Sequence, residues 1–186
     1  MSLTHAANPG RHSILARKDD LYETPPEAVR ALLRVESLPE SIWEPACGPG
    51  SIVRILRANG HRVYATDLVD YGCPDSESGV DFLMERAPWD GAIVTNSPYK
   101  LADQFVAHAL TLCPRVVMLL RLAFLESERR SPILENCGLA RVHVFRKRLP
   151  MMHRHGWQGP RASSSIAFAW FVWDRDHRGK TELDRI

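Results

Sequence analysis

Asn96, Ser97, Pro98 and Tyr99 stand in that order directly behind the apolar run G-A-I-V at residues 91–94. An amide oxygen and a backbone carbonyl are acceptors, a proline stiffens, and a tyrosine offers a ring face. Asn, Ser and Pro are ordinary turn formers, so the four could be a plain loop. A tyrosine at the exit of a buried strand also suits a site that grips something flat and polar. A second group is E-P-A-C-G-P-G, Glu44, Pro45, Ala46, Cys47, Gly48, Pro49 and Gly50. Its glycines let the backbone turn tightly and approach a ligand closely. Asp67 closes the next apolar stretch, where a carboxylate can accept hydrogen bonds from ribose hydroxyls. Asp81 and Phe82 follow before the fourth. Alone, the glycine turn is a strand–helix connection and Asp67 a capping or surface acid; the ordered set of four singles out a site.

The glycine turn is not a dinucleotide fingerprint, because G-P-G-S-I-V lacks the third glycine of G-x-G-x-x-G. Glu44 would repel a pyrophosphate. It suits a cationic amino group instead, such as the methionine part of S-adenosylmethionine.

Positioning these residues requires strands that end at one edge. Short apolar strands are expected at 41–44, 62–66, 80–83, 91–95, 116–120, 141–145 and 166–173. Helices are expected from Pro25, with Thr24 as its cap, through 52–56 up to Asn59-Gly60, over 101–112, and over 124–136 with a kink or split at Pro132. Residues 70–79 and 146–165 read as polar loops. V-V-M-L-L at 116–120 and I-A-F-A-W-F-V-W at 166–173 are apolar on both faces, which calls for a sheet covered by helices on each side. The alternation predicts an α/β fold, a Rossmann-like, doubly wound, seven-stranded, mostly parallel sheet. The long loop before the last strand, without a crossover helix, predicts that this strand enters antiparallel. Ligands in such sheets bind outside the carboxyl ends of the strands, where all four groups would meet.

The chain has 186 residues, 45% of them hydrophobic, with a net charge of +2. That is one domain's worth of core. The reading is a flexible arm over 1–20, a functional domain over 21–176 and a polar tail over 177–186. The 4 cysteines, Cys47, Cys73, Cys113 and Cys137, form no C-x-x-C pair, which argues against zinc and a disulfide framework and fits a reducing cytoplasm. No signal-peptide pattern is visible, and no apolar run approaches the ~20 residues of a membrane span. His153 and His155 flank Arg154 in a loop, but no metal cluster emerges.

The residues quoted resemble a known family. E-P-A-C-G-P-G followed by N-S-P-Y is similar to motifs I and IV of class I S-adenosylmethionine-dependent methyltransferases. Y-E-T-P-P-E-A-V at 22–29 resembles the segment upstream of the glycine loop in gamma-type N6-adenine DNA methyltransferases. The resemblance runs from about Leu21 to Trp173. It implies the class I methyltransferase fold, S-adenosylmethionine as cofactor, and methylation of an exocyclic amine, adenine N6 in DNA first. It implies that Tyr22, Thr24 and their neighbours line the methionine end and that Glu44, Pro45, Ala46, Cys47, Gly48 and Gly50 wrap methionine and ribose. Asp67 would bind the ribose hydroxyls, Asp81 would meet the adenine amino group, and Phe82 would sit beside the ring. The catalytic set would be Asn96, Ser97, Pro98 and Tyr99. Asn96 and the Ser97 carbonyl accept the two N–H bonds of the target amine, Pro98 stiffens the loop, and Tyr99 stacks on the base. Ser97 stands where the family usually has proline and keeps the carbonyl that the family uses. A C5-cytosine enzyme would need Pro-Cys, and the chain has no such dipeptide; Cys113-Pro114 is the reverse order.

No Asp or Glu lies between Asn136 and Trp173, whereas Arg141, Arg146, Lys147, Arg148, Arg154 and Arg161 do, with Trp157 among them. Arg146, Lys147, Arg148, Arg154, Trp157 and Arg161 are therefore candidate nucleic-acid contacts; a solvated loop is the bland alternative. The partner is expected to be DNA, single-stranded or with a flipped base. With no target-recognition domain expected after Trp173, specificity would come from 70–79, from 146–165 or from a separate partner chain. N4 of cytosine, RNA, a protein glutamine amide, and a non-catalytic nucleic-acid-binding module remain alternatives.

Overall fold

The computed structural model describes residues 21–151 and 165–186. The elements are α1 (Pro26–Val35), β1 (Ser41–Glu44), α2 (Ser51–Ala58), β2 (Arg62–Asp67), β3 (Ser76–Ser78) and β4 (Ala92–Thr95). There follow α3 (Ala102–Leu112), β5 (Arg115–Arg121), α4 (Ser131–Glu135), β6 (Leu139–Val144), β7 (Phe168–Asp174) and β8 (Glu182–Arg185). They build one eight-stranded sheet in the order β3-β2-β1-β4-β5-β7-β6-β8. All neighbours run parallel except β7, which is antiparallel to both β5 and β6. This is the expected α/β, Rossmann-like, mostly parallel sheet. The chain winds outward from β1 through β2 to β3, then returns to the other side of β1 with β4. The switch point therefore lies between β1 and β4, where such sheets bind ligands.

The period of 2 in β5 and β7 divides the core. Met118, Leu120, Phe171 and Trp173 face α3 and the segment after β5, whereas Val117, Leu119, Trp170 and Val172 face α1 and α2. Two buried tryptophans hydrogen-bond to helix carbonyls, Trp170 Nε1 to Ala28 O at 2.9 Å and Trp173 Nε1 to Ile133 O at 2.7 Å. Those bonds spare the indoles the cost of an unmet buried donor.

Four expectations are corrected. The third strand is not 80–83 but Ser76–Ser78, inside the expected loop, paired with β2 from Ala65↔Ser76 to Asp67↔Ser78. Phe82 instead drops into the core from a 3₁₀ turn, Phe82–Met84, whose first turn is capped by Asp81 Oδ1 accepting from Leu83 N at 3.0 Å. The helix expected over 124–136 is broken into two 3₁₀ turns, Leu122–Leu125 and Glu128–Arg130, and the short α4. Pro132 sits in the first turn of α4, where its missing N–H costs nothing. Arg130 holds this irregular stretch: it donates to Asp103 Oδ1 at 2.7 Å and lies 4.5 Å from the centre of the Phe124 ring. The polar tail contributes an eighth strand, β8, parallel to β6. Finally, Thr24 does not cap α1, whose cap position is Pro25 with no side-chain bond.

At the amino end of β5, Glu36 closes α1 and ties it to the sheet. Its side chain is 2% exposed. It accepts from Arg115 at 2.6 Å and from Arg141, and His143 Nε2 lies 2.7 Å away. Burial pushes its carboxyl up, but the bonds from His143 and Arg141 and the charges of Arg141 and Arg115 outweigh burial and hold it at about 2.

Candidate active site

The carboxyl ends of β1, β2, β4 and β5 deliver Glu44, Asp67, Asn96 and Arg121 to one end of the sheet. A cavity opens there at the switch point. It is lined by Tyr22, Thr24, Glu44, Pro45, Ala46, Cys47, Gly48, Asp67, Asp81, Phe82, Asn96, Ser97, Pro98 and Tyr99. Of the expected cofactor residues only Gly50 lies outside this lining.

The glycine loop is braced from β2. Gly48, at φ 51°, donates its N–H to Asp67 Oδ2 at 2.9 Å, and Cys47 N donates to Thr66 O at 3.0 Å. Gly50, at φ 83°, is the cap of α2, and a Cβ there would sit 2.6 Å from Cys73 Sγ. Both positions need glycine: the backbone is left-handed, and at Gly50 a side chain has no room. Asp67 Oδ1 accepts from Val69 N at 3.1 Å. Burial raises the Asp67 carboxyl, opposed by the N–H groups of Gly48, Val69 and Leu68. Glu44 is 1% exposed and its Oε2 has no partner among the described residues. Burial raises its carboxyl well above the ordinary value and the Asp67 charge adds to this, while the Thr95 hydroxyl and the Asn96 backbone N–H oppose it.

The segment before α1 crosses the cavity. Ser51 Oγ donates to Glu23 Oε1 at 2.6 Å, fastening the segment to the first residue of α2. On its other side, Asn96 Nδ2 donates to Tyr22 O at 3.2 Å and to Thr24 Oγ1 at 3.1 Å. Asn96 Oδ1 is buried and unpartnered among the described residues. The N-S-P-Y turn runs into a 3₁₀ turn, Tyr99–Leu101, with Leu101 N donating to Pro98 O at 3.0 Å. Ser97 is 2% exposed.

The Tyr99 ring is covered. Tyr22 stacks on it with centres 5.0 Å apart and planes 21° apart, and Phe168 tilts against it at 5.7 Å. The Arg121 guanidinium lies over it, 4.5 Å from its centre. Arg121 reads as a surface arginine in sequence; only its place at the carboxyl end of a central strand hinted at more. Other lining residues that the sequence did not single out are Leu21, Glu23, Ser51, Leu68, Tyr71 and Phe105. Phe82 lines the cavity with its ring held edge-on by Trp43 at 5.2 Å.

Among the candidate nucleic-acid contacts, Arg146, Lys147 and Arg148 are exposed and lie outside the cavity lining. The Arg146 guanidinium donates to Arg185 O at 3.0 Å, so it secures β8. Arg154, Trp157 and Arg161 lie outside the described residues. No group of metal ligands occurs among the described residues, and no helix among them is long and apolar enough to cross a membrane.

No protein-family model matches the sequence, and neither does any curated protein. Solved structures do match by shape. A protein assigned as the modification subunit of a type I restriction enzyme, from Vibrio vulnificus, superposes with a TM-score of 0.62 at 16% identity, over 92% of this chain and 48% of that one. The 23S rRNA methyltransferase ErmE gives 0.53 at 17%, over 81% and 68%. TrmN from Thermus thermophilus gives 0.55 at 19%, over 86% and 50%. The chain thus spans about half the length of the first and the last. These likenesses show the fold, that of class I methyltransferases.

Proposed function

We propose that this chain transfers a methyl group from S-adenosylmethionine to the exocyclic amine of a nucleic-acid base, with adenine N6 in DNA the best-supported target. The observation that carries the reading is the state of Asn96. Its amide nitrogen is used up by Tyr22 O and Thr24 Oγ1, and its oxygen is left buried in the cavity without a partner among the described residues. A buried acceptor without a partner costs about 1–3 kcal/mol, and an incoming N–H donor removes that cost.

The residues present fit the cofactor. Glu44 Oε2, buried and without a partner among the described residues, suits an ammonium group. Asp67 keeps spare lone pairs after its two backbone bonds and suits two ribose hydroxyls. Gly48 brings bare backbone to the cavity, and a Cβ there would press on Leu21 at 3.0 Å. When bound, S-adenosylmethionine supplies an electrophilic sulfonium methyl.

The chain's own residues do the rest. An exocyclic amine is a poor nucleophile because its lone pair is delocalised into the ring. Asn96 Oδ1 and the Ser97 carbonyl each accept one N–H, which draws the nitrogen toward tetrahedral geometry and frees the lone pair. Fixed acceptors also stabilise the positive charge that develops on nitrogen, and holding the amine in line supplies much of the rate. A neutral amide is no base, so the proton leaves to water after the C–N bond forms. Tyr99 stacks on the unpaired base, an interaction worth ~1–3 kcal/mol, once its ring exchanges its present neighbours for the substrate. DNA is favoured over RNA or a protein amide because the Tyr22–Thr24 stretch, part of the likeness to DNA enzymes, is the one that holds Asn96 and Tyr99.

Nucleoside mass spectrometry on single- and double-stranded DNA and RNA, incubated with protein and cofactor beside Asn96→Ala, tests this. N6-methyladenine in DNA, abolished by Asn96→Ala, is the expected result. Methylation of RNA alone moves the substrate, and no methylated base under conditions where the cofactor binds overturns the reading.

A further inference from the structure

We propose that Thr24 is a positioning residue that acts through Asn96, locking the amide in the orientation that the Tyr22 carbonyl selects; this rests on the amine reading above. An asparagine amide has two ends of nearly equal shape and opposite hydrogen-bond character. Its neighbours decide which way it points. Tyr22 O, 3.2 Å from Asn96 Nδ2, can only accept. Thr24 Oγ1, 3.1 Å from the same nitrogen, takes its second proton. Both N–H donors are then spent on the segment before α1, and Oδ1 is the group left for the substrate. A flipped amide would set its oxygen against the Tyr22 carbonyl and offer a donor to an amine that needs an acceptor.

Thr24 is 3% exposed, so water cannot replace it at this bond. The hydroxyl stands behind the acceptor, bonded to Asn96, while the residue also lines the cavity. The same geometry explains why residue 96 is asparagine. A carboxylate is the stronger acceptor, but Asn96→Asp would place one oxygen against the Tyr22 carbonyl with no proton between them.

The test measures kcat on an adenine-containing DNA oligonucleotide, the Kd for S-adenosylmethionine, and hydrogen exchange of the Asn96 side-chain amide by NMR, all on the full chain. Thr24→Val keeps the shape and removes the hydroxyl. It is expected to lower kcat roughly tenfold, the loss of about one buried hydrogen bond, with cofactor Kd unchanged within about twofold and faster exchange at Asn96. Thr24→Ser is expected to restore all three. Asn96→Asp is expected to be less active than wild type despite its charge. A wild-type protein that methylates no nucleic acid overturns the proposed function. An active wild type whose kcat is unmoved by Thr24→Val, or whose cofactor binding falls in step with kcat, overturns the positioning role. Unprotected Asn96 amide protons in the wild type overturn it whatever the activity.

Discussion

Glu36→Gln removes one charge from a network that holds α1 to β5 and β6, far along the sheet from the candidate site. The folded carboxyl is held at about 2 against an ordinary 4.5. At 1.36 kcal/mol per pH unit that gap corresponds to about 3 kcal/mol of stability. Because the folded value is the lower one, the contribution is fully present above pH 4.5 and is lost as pH falls through about 2. With the side chain 2% exposed, solvent screening takes little from it. Glutamine keeps the shape but leaves Arg115 and Arg141 without their buried counter-charge, a type of loss that costs about 3–5 kcal/mol. Urea unfolding of both proteins at pH 7, 4 and 3 measures the effect. The variant is expected to be about 3 kcal/mol less stable at pH 7 and to lose less than wild type on acidification. A variant within about 0.5 kcal/mol of wild type at pH 7, or one that keeps the wild-type acid slope, would refute the reasoning.

At the site, the raised Glu44 carboxyl makes the free protein less stable as pH rises from 4.5 toward the folded value, since the folded state resists ionisation. Cofactor affinity is expected to rise over the same range as the carboxylate forms, with Glu44→Gln flattening both profiles; isothermal calorimetry and melting temperatures across pH check this, and a pH-flat wild type counts against it. Gly50→Ala forces a Cβ toward Cys73 Sγ in a left-handed backbone, so it should weaken cofactor binding at least tenfold, while Gly50→Ala with Cys73→Ala recovers only the steric part. Arg121→Ala removes the guanidinium from over the Tyr99 ring and leaves Tyr22 and Phe168 against it. It is expected to tighten binding of a single-stranded oligonucleotide carrying 2-aminopurine by about 2–5-fold, the worth of an exposed cation–π contact, with the salt slope unchanged. Weaker binding with a shallower slope would make Arg121 a phosphate contact instead.

Which parts of the fold were legible follows from what each element must bury. β4, β5 and β7 are covered on both faces, so their apolar runs announced them. β3 and β8 are edge strands of mostly polar, mostly exposed residues held by backbone bonds to a single neighbour, and no apolar run in them marks a strand. Phe82 misled in the opposite direction, because one buried ring in a 3₁₀ turn gave 80–83 the look of a strand. The Gly loop, Asp67 and N-S-P-Y could be placed together because strand ends converge. Their partners could not, because Thr24 beside Pro25 has a local explanation as a helix cap, and Arg121 meets Tyr99 only in the folded chain.

Residues 21–24 belong to no helix or strand, yet they touch both ends of the cavity. Leu21 packs where Gly48 lacks a Cβ, Glu23 holds Ser51 at the start of α2, the Tyr22 ring stacks on Tyr99, and Tyr22 O with Thr24 fixes Asn96. The orientation of the amide therefore comes from outside the N-S-P-Y motif. The same four residues in a chain without this brace would leave the amide free to turn, and it would present a donor as readily as an acceptor. N-S-P-Y alone is thus compatible with an ordinary turn. In the proposed function, what would make it an acceptor site for an amine is the carbonyl and the hydroxyl, more than seventy residues earlier, that take both of its protons.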